Sequence, residues 1–164
     1  MSVTDVLGLA KSAGVMIATA ESCTGGMVVA ALTDIPGSSA VVERGFVTYT
    51  NRAKQDMLGV NSVTLSTFGA VSEEVAQEMA DGALAHAPVQ LAVSITGIAG
   101  PGGSEFKPEG RVCFGLAADW ADTTTETVEF GALGRDAVRL AARDHALGML
   151  HQALLRRDSG ADHK

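Results

Sequence analysis

The stretch Val15-Met16-Ile17-Ala18-Thr19-Ala20, the turn Glu21-Ser22-Cys23-Thr24-Gly25-Gly26 and the second apolar run Met27-Val28-Val29-Ala30-Ala31-Leu32 decide the fold. A short apolar run that enters a Ser/Thr/Gly turn and leaves as another apolar run reads as a strand, a tight corner and a buried helix. The helix stops before Asp34-Ile35-Pro36-Gly37, a strong turn signal. Upstream, Thr4 to Ala13 carries Val6, Leu7, Leu9 and Ala10 on one face, as an amphipathic helix does.

Downstream the alternation continues. Val41 to Thr50 is rich in β-branched and aromatic residues and predicts a strand. Asn51 is read as the cap of a short helix ending at Leu58, with Gly59 as its stop. Ser72 and the acidic pair Glu73-Glu74 open a helix to about Ala85, the acids lying where the helix dipole favours them. Val89 to Ile95 predicts a buried strand, followed by a long Gly/Pro-rich loop from Thr96 to Gly110. Arg111 to Ala118 and Thr124 to Phe130 predict a β-hairpin, and Arg135 to Arg156 a long closing helix. Alternating helices and strands of this kind make an α/β layer fold. The expected organisation is one domain over residues 1–157 with a flexible tail from Asp158 to Lys164.

Composition narrows the function. A chain of 164 residues with 46% hydrophobic content can bury one substantial core, but with only 4% aromatics, Ala, Val, Leu and Gly must fill it. The balance of 12 basic against 19 acidic residues gives a net charge of -7, which repels a phosphate polymer and argues against nucleic-acid binding. Cys23 and Cys113, the only two cysteines, form neither a disulfide framework nor a metal-ligand spacing. The first residues lack the basic and apolar regions of a secretory signal, and no apolar run approaches the roughly 20 residues a bilayer needs. A cytoplasmic protein with no membrane partner is therefore expected.

Three segments have the makings of a site. In the first corner, the end of a strand lies at the carboxyl edge of the sheet, where open α/β sheets bind ligands. The N–H groups of the following helix suit a phosphate or a developing oxyanion. Ser22 is a candidate nucleophile there, although Ser22 and Thr24 also read as simple helix caps. Cys23 is a rival nucleophile or a small packed residue. The four histidines, His86, His145, His151 and His163, are poorly placed to serve as base. In the second segment, Thr48 to Lys54, a capping Asn51 would put Lys54 in a helix's first turn, where the dipole disfavours a cation and lowers the lysine pKa. Tyr49 reads as a strand-packing residue or as a hydroxyl that relays a proton to Ser22. The third segment, Ser94 to Ser104, carries glycines whose backbone N–H groups can wrap an anion, with Lys107 as an added cation, but it is neither a Rossmann nor a Walker sequence.

Taken together, TAESCTGG (19–26), DIPGSSAVVERGFVTYTNRAK (34–54), GAVSEEVAQEMA (69–80), SITGIAGPGG with KPEG (94–110) and GRDAVR (134–139) resemble the CinA C-terminal domain family. That family includes nicotinamide-nucleotide amidases. The resemblance implies a three-layer α/β/α fold with a mixed, mostly parallel sheet. It also implies hydrolysis of the carboxamide of nicotinamide mononucleotide, with Ser22 as nucleophile and Tyr49 and Lys54 as its catalytic partners. On that footing Cys23, Thr24, Gly25 and Gly26 are expected to form the oxyanion site. Glu21, Asn51, Thr96, Gly97, Gly100, Gly102 and Gly103 are expected to hold the nucleotide and its phosphate. No metal or organic cofactor is called for, and a homo-oligomer is expected. No segment matches the N-terminal domain often fused to this one, and the loop after TGIAGP is about one residue shorter than the common form. A nucleotide-binding module without turnover, or an amidase for another carboxamide, are the alternatives.

Overall fold

In the computed structural model, which describes residues 2–104 and 106–161, the decisive corner is β1 (Ile17–Glu21) followed by α2 (Met27–Thr33). Before it lies α1 (Val3–Ala13); after it come β2 (Val42–Val47), α3 (Asn51–Leu58), α4 (Ser62–Phe68) and α5 (Glu73–Ala85). The chain then makes β3 (Leu91–Gly97), β4 (Arg111–Ala118), β5 (Ala121–Glu129) and α6 (Arg135–Ala161). The sheet order is β2-β1-β3-β4-β5. β1 runs parallel to both β2 and β3, whereas β4 is antiparallel to β3 and to β5. The sheet is thus mixed, and every strand except β4 points the same way.

Side-chain alternation along β1 assigns the two helical layers. Ile17 faces a core built from α1, α2 and α6, together with Leu91, Val93 and Ile95 of β3. Ala18 and Ala20 face the opposite core, with Leu58 of α3, Leu65 of α4 and Val75 and Met79 of α5. The helix after β1 therefore lies on one face and the helix after the neighbouring β2 on the other. A crevice at the carboxyl ends of β1 and β2 is the geometric result, the switch point at which open α/β sheets take ligands. α5 packs so closely on α3 that a Cβ at Gly82 would stand 2.1 Å from the Leu58 carbonyl oxygen, which fixes where α3 can lie.

Several boundaries differ from the sequence-based expectation, each for a physical reason. Thr50, not Asn51, caps α3: its backbone is extended and its hydroxyl accepts the Ala53 N–H at 3.0 Å. β3 starts and ends two residues later than expected, because Thr96 and Gly97 still pair with Cys113 and Val112 of β4. β5 begins at Ala121, so Asp119 and Trp120 form a two-residue hairpin turn. α4 was not expected, since seven residues rich in Ser and Thr show no apolar period. Tertiary contacts hold it: Glu78 of α5 accepts from the Asn61 N–H at 2.7 Å and the Thr64 hydroxyl at 2.6 Å. α6 continues through Ala161, so Asp158 to Ala161 of the expected tail are helical; the rest of that tail, 162–164, lies outside the described residues. No helix among the described residues is long and apolar enough to cross a membrane.

Candidate active site

Continuing the alternation of β1 past Ala20 puts Ser22 on the α3 side of the sheet, with its N–H donating to the Ile95 carbonyl at 3.0 Å. On α3, Lys54 turns inward and is 1% exposed. Its Nζ lies 3.1 Å from Ser22 Oγ, 2.9 Å from the Thr48 carbonyl and 3.3 Å from the Tyr49 carbonyl. Two carbonyls can accept only N–H bonds, so a neutral amine uses both its hydrogens on them and keeps its lone pair for the serine O–H. Burial pushes the Lys54 amine below the ordinary lysine range; the nearby Cys23 acts weakly the other way. Ser22 and Lys54 thus form a buried hydroxyl–amine pair at the switch point.

The competing nucleophile and base are disposed of by their surroundings. Burial pushes the Cys23 thiol up to about 11, so it is protonated near neutral pH and packs as a small apolar group. His86 Nδ1 lies 2.7 Å from the Gly82 carbonyl, and His145 pairs with Glu126 at 2.6 Å while its ring rests on Phe114. Neither reaches Ser22, and His163 lies outside the described residues.

Glu21 occupies a different position from the one expected of a substrate ligand. Facing α2 and completely buried, its carboxylate accepts from the hydroxyls of Thr19 and Thr24 and from the N–H groups of Gly26, Val28 and Val29. It fills the N-terminus of α2 from within the protein. The Gly26 N–H is therefore occupied, and the Gly25 N–H donates to the Ser22 carbonyl at 3.0 Å. Of the four residues expected to stabilise an oxyanion, only Cys23 and Thr24 have backbone N–H groups that no other described residue accepts.

A cleft of about 320 Å³ opens over the pair. Ser22, Cys23, Tyr49, Asn51, Lys54, Thr96, Gly97, Gly100, Gly102 and Gly103 line it, whereas Glu21, Thr24, Gly25 and Gly26 do not. The Thr96 hydroxyl has its proton engaged, donating to the Ala70 carbonyl at 2.9 Å, and so can offer a ligand only an acceptor. Lys107, expected as an added cation, instead donates to the carbonyls of Phe68 and Val71, both at 2.6 Å, and ties the glycine loop to the end of α4. Tyr49 is 60% exposed, and its hydroxyl accepts from Arg135 at 2.9 Å instead of reaching Ser22.

Two arginines and one glutamate were missed. Arg135 also donates to the Gly100 carbonyl at 2.6 Å, spanning the cleft mouth from Tyr49 to the glycine loop. Arg139 donates to the carbonyls of Cys23 and Thr24. Glu109 braces the loop by accepting the Gly102 N–H at 2.7 Å. A signal existed for Arg135, since a cation in a helix's first turn opposes the dipole, the same argument that picked out Lys54.

Comparison with known proteins agrees with this fold. Residues 2–154 match the model of the CinA C-terminal domain. The nicotinamide-nucleotide amidohydrolase PncC of Escherichia coli K12 is 52% identical over 94% of both chains. A CinA-like protein of Chlorobium phaeobacteroides is 53% identical over 86% of this chain, which spans only 34% of that relative's length. Among solved structures, the competence/damage inducible protein CihA of Agrobacterium tumefaciens is 50% identical with a TM-score of 0.85, covering 92% of this chain and 95% of its own. A CinA superfamily protein of Klebsiella pneumoniae is 35% identical with a TM-score of 0.90, covering 94% and 96%. The chain belongs to the CinA C-terminal domain family.

Proposed function

We propose that this chain is a nicotinamide-nucleotide amidase, converting nicotinamide mononucleotide and water into nicotinate mononucleotide and ammonia. Ser22 is the nucleophile and Lys54 its base. Relatives of nearly equal length that carry the amidohydrolase name support the reaction. The observation that carries the mechanism is the 3.1 Å contact between the buried, uncompensated Lys54 amine and the Ser22 hydroxyl.

The neutral amine takes the serine proton as Oγ bonds to the amide carbon. The carbonyl oxygen becomes an oxyanion facing the free N–H group of Cys23, which lines the cleft; such a donor lowers the barrier by about 3 kcal/mol. Lys54 then returns the proton to the departing nitrogen, the C–N bond breaks, and ammonia leaves an acyl-serine ester. Water attacks the ester with Lys54 again as base, releasing the carboxylate and restoring Ser22. Proton transfer runs directly between these two side chains, because the Tyr49 hydroxyl is bonded to Arg135.

At the cleft mouth, the Tyr49 ring offers a π face to the cationic pyridinium. The Arg135 guanidinium and the glycine-loop amides suit the phosphate. The test is ammonia release from nicotinamide mononucleotide by the purified protein, with Ser22→Ala as control. Turnover lost in the variant supports the proposal. Binding without ammonia in the wild type would mark a nucleotide-binding module, and ammonia from a different carboxamide would reassign the substrate.

A further inference from the structure

The nucleophile corner supplies the cleft with one oxyanion donor. The Cys23 N–H is accepted by no described residue and Cys23 lines the cleft, whereas Thr24 is fully buried and does not. Serine hydrolases on α/β sheets hold the oxyanion with two donors, the N–H of the residue after the nucleophile and one from beyond a neighbouring strand. The partner of the Cys23 N–H therefore has to come from another part of the cleft wall.

The β1–β3 ladder points to it. Glu21, the last residue of β1, pairs with Ile95, yet β3 runs on to Gly97. Successive N–H groups of a strand face opposite edges. Along β3 the odd residues face β1, as the bond from the Leu91 N–H to the Met16 carbonyl and that from the Ser22 N–H to the Ile95 carbonyl show. Ile98 faces the other way, its N–H donating to the Arg111 carbonyl at 2.9 Å. The Gly97 N–H thus faces the Ser22 side. In a continued ladder the Ser22 carbonyl would accept it, but that carbonyl accepts the Gly25 N–H at 3.0 Å as the chain turns into the corner. No described residue accepts the Gly97 N–H, and Gly97 lines the cleft with Ser22 and Cys23.

The backbone around this donor is fixed. Thr96 and Gly97 are paired with Cys113 and Val112 of β4, and the Ile98 carbonyl accepts the Gly110 N–H at 2.8 Å. Gly97 lacks the positive φ of Gly100 and Gly102. Close packing demands its glycine instead, since a Cβ there would stand 2.7 Å from Val112 Cγ2 and 3.0 Å from Val112 Cβ. We infer that the Gly97 N–H is a catalytic group, the second oxyanion donor, facing the Cys23 N–H across the gap where β1 stops and β3 continues. This assignment rests on the reading of Ser22 as the acyl-forming nucleophile. It gives Gly97 to the reacting carbonyl and leaves the phosphate to the loop that follows.

The experiment removes that one N–H. Ribosomal incorporation of glycolate at position 97 of the full chain replaces the amide with an ester, and the corresponding ester at Ile98 serves as comparison. Each protein is measured for kcat and KM on nicotinamide mononucleotide, for thermal midpoint, and for the rate at which a fluorophosphonate labels Ser22, since the phosphonyl oxygen needs the same donors as the oxyanion. The ester at 97 is expected to lower kcat and the labelling rate by about 100-fold each while KM moves less than about 3-fold. The ester at 98 breaks a hydrogen bond of the free protein, so it should show the larger fall in thermal midpoint and the smaller loss of labelling. In wild type, phosphonylation of Ser22 should move the amide protons of Gly97 and Cys23 downfield more than that of Thr24, as read by NMR. A Gly97 amide proton that phosphonylation leaves in place, or labelling losses that follow the thermal midpoint across the two esters, would overturn the assignment. A wild type that labels at Ser22 but releases no ammonia overturns the substrate, and the labelling comparison then decides on Gly97. A wild type that does neither removes the nucleophile, and this inference with it.

Discussion

Glu21 and Lys54 are both buried charged residues beside adjacent strands, at 0% and 1% exposure, yet the protein treats them in opposite ways. Five donors surround the Glu21 carboxylate, three of them N–H groups at the N-terminus of α2, whose dipole also favours a negative charge. Lys54 faces two carbonyls and a hydroxyl, and no carboxylate pairs with it among the described residues. A compensated charge holds a corner in shape, whereas burial without a counter-charge favours an amine's neutral form, the form a base needs. Burial by itself does not mark a catalytic group; the chemistry of the partners does.

The largest effects should come from the uncompensated side. Ser22→Ala and Lys54→Met are each expected to lower kcat by about 1,000-fold or more, with nucleotide affinity little changed, as read by steady-state ammonia release and calorimetric binding. A drop of only a few-fold in Lys54→Met would erase the distinction between the two residues. On the compensated side the effect should be on stability. Glu21→Ala orphans three backbone N–H groups and two hydroxyls and is expected to cost about 3–5 kcal/mol in denaturant unfolding. Glu21→Gln keeps the volume but turns an NH2 toward donors, and should fall between the two.

A subtler contrast appears with pH. The folded Lys54 amine titrates below its unfolded value, so between those two values the unfolded chain binds more protons and stability rises with pH. The stability gap between wild type and Lys54→Met should therefore shift in favour of wild type as pH climbs through that window, measured by unfolding at several pH values. The smallest expected effect lies next door. The Thr48 hydroxyl is buried without a partner, while its carbonyl holds Lys54. Thr48→Val removes only the orphaned oxygen and should raise stability by about 1 kcal/mol or less, leaving kcat within about 3-fold.

What could be read in the chain was what local chemistry writes there. The β1 corner, the acidic start of α5, the closing hairpin and the lysine near the start of α3 follow from period, caps and turn residues. Whether Ser22 was a cap or a nucleophile did not follow from spacing. Resemblance to a family supplied that choice, and the contact with Lys54 gives it a geometry. The features that escaped depend on distant partners. α4 is held by Glu78, and the roles of Arg135, Arg139 and Lys107 arise only when α6 and the glycine loop fold back over the first corner. Glu21 was legible as part of the turn, but the donors that fill its carboxylate become visible only once α2 is built.

The most direct measurement is an NMR titration of the Lys54 side-chain amine, set beside the pH dependence of kcat/KM for ammonia release. A neutral base predicts that Lys54 titrates below the ordinary lysine range and that the acid limb of the rate profile has the same midpoint. A Lys54 amine that stays charged across the active pH range, with the acid limb following some other group, would contradict the claim that this buried amine activates Ser22.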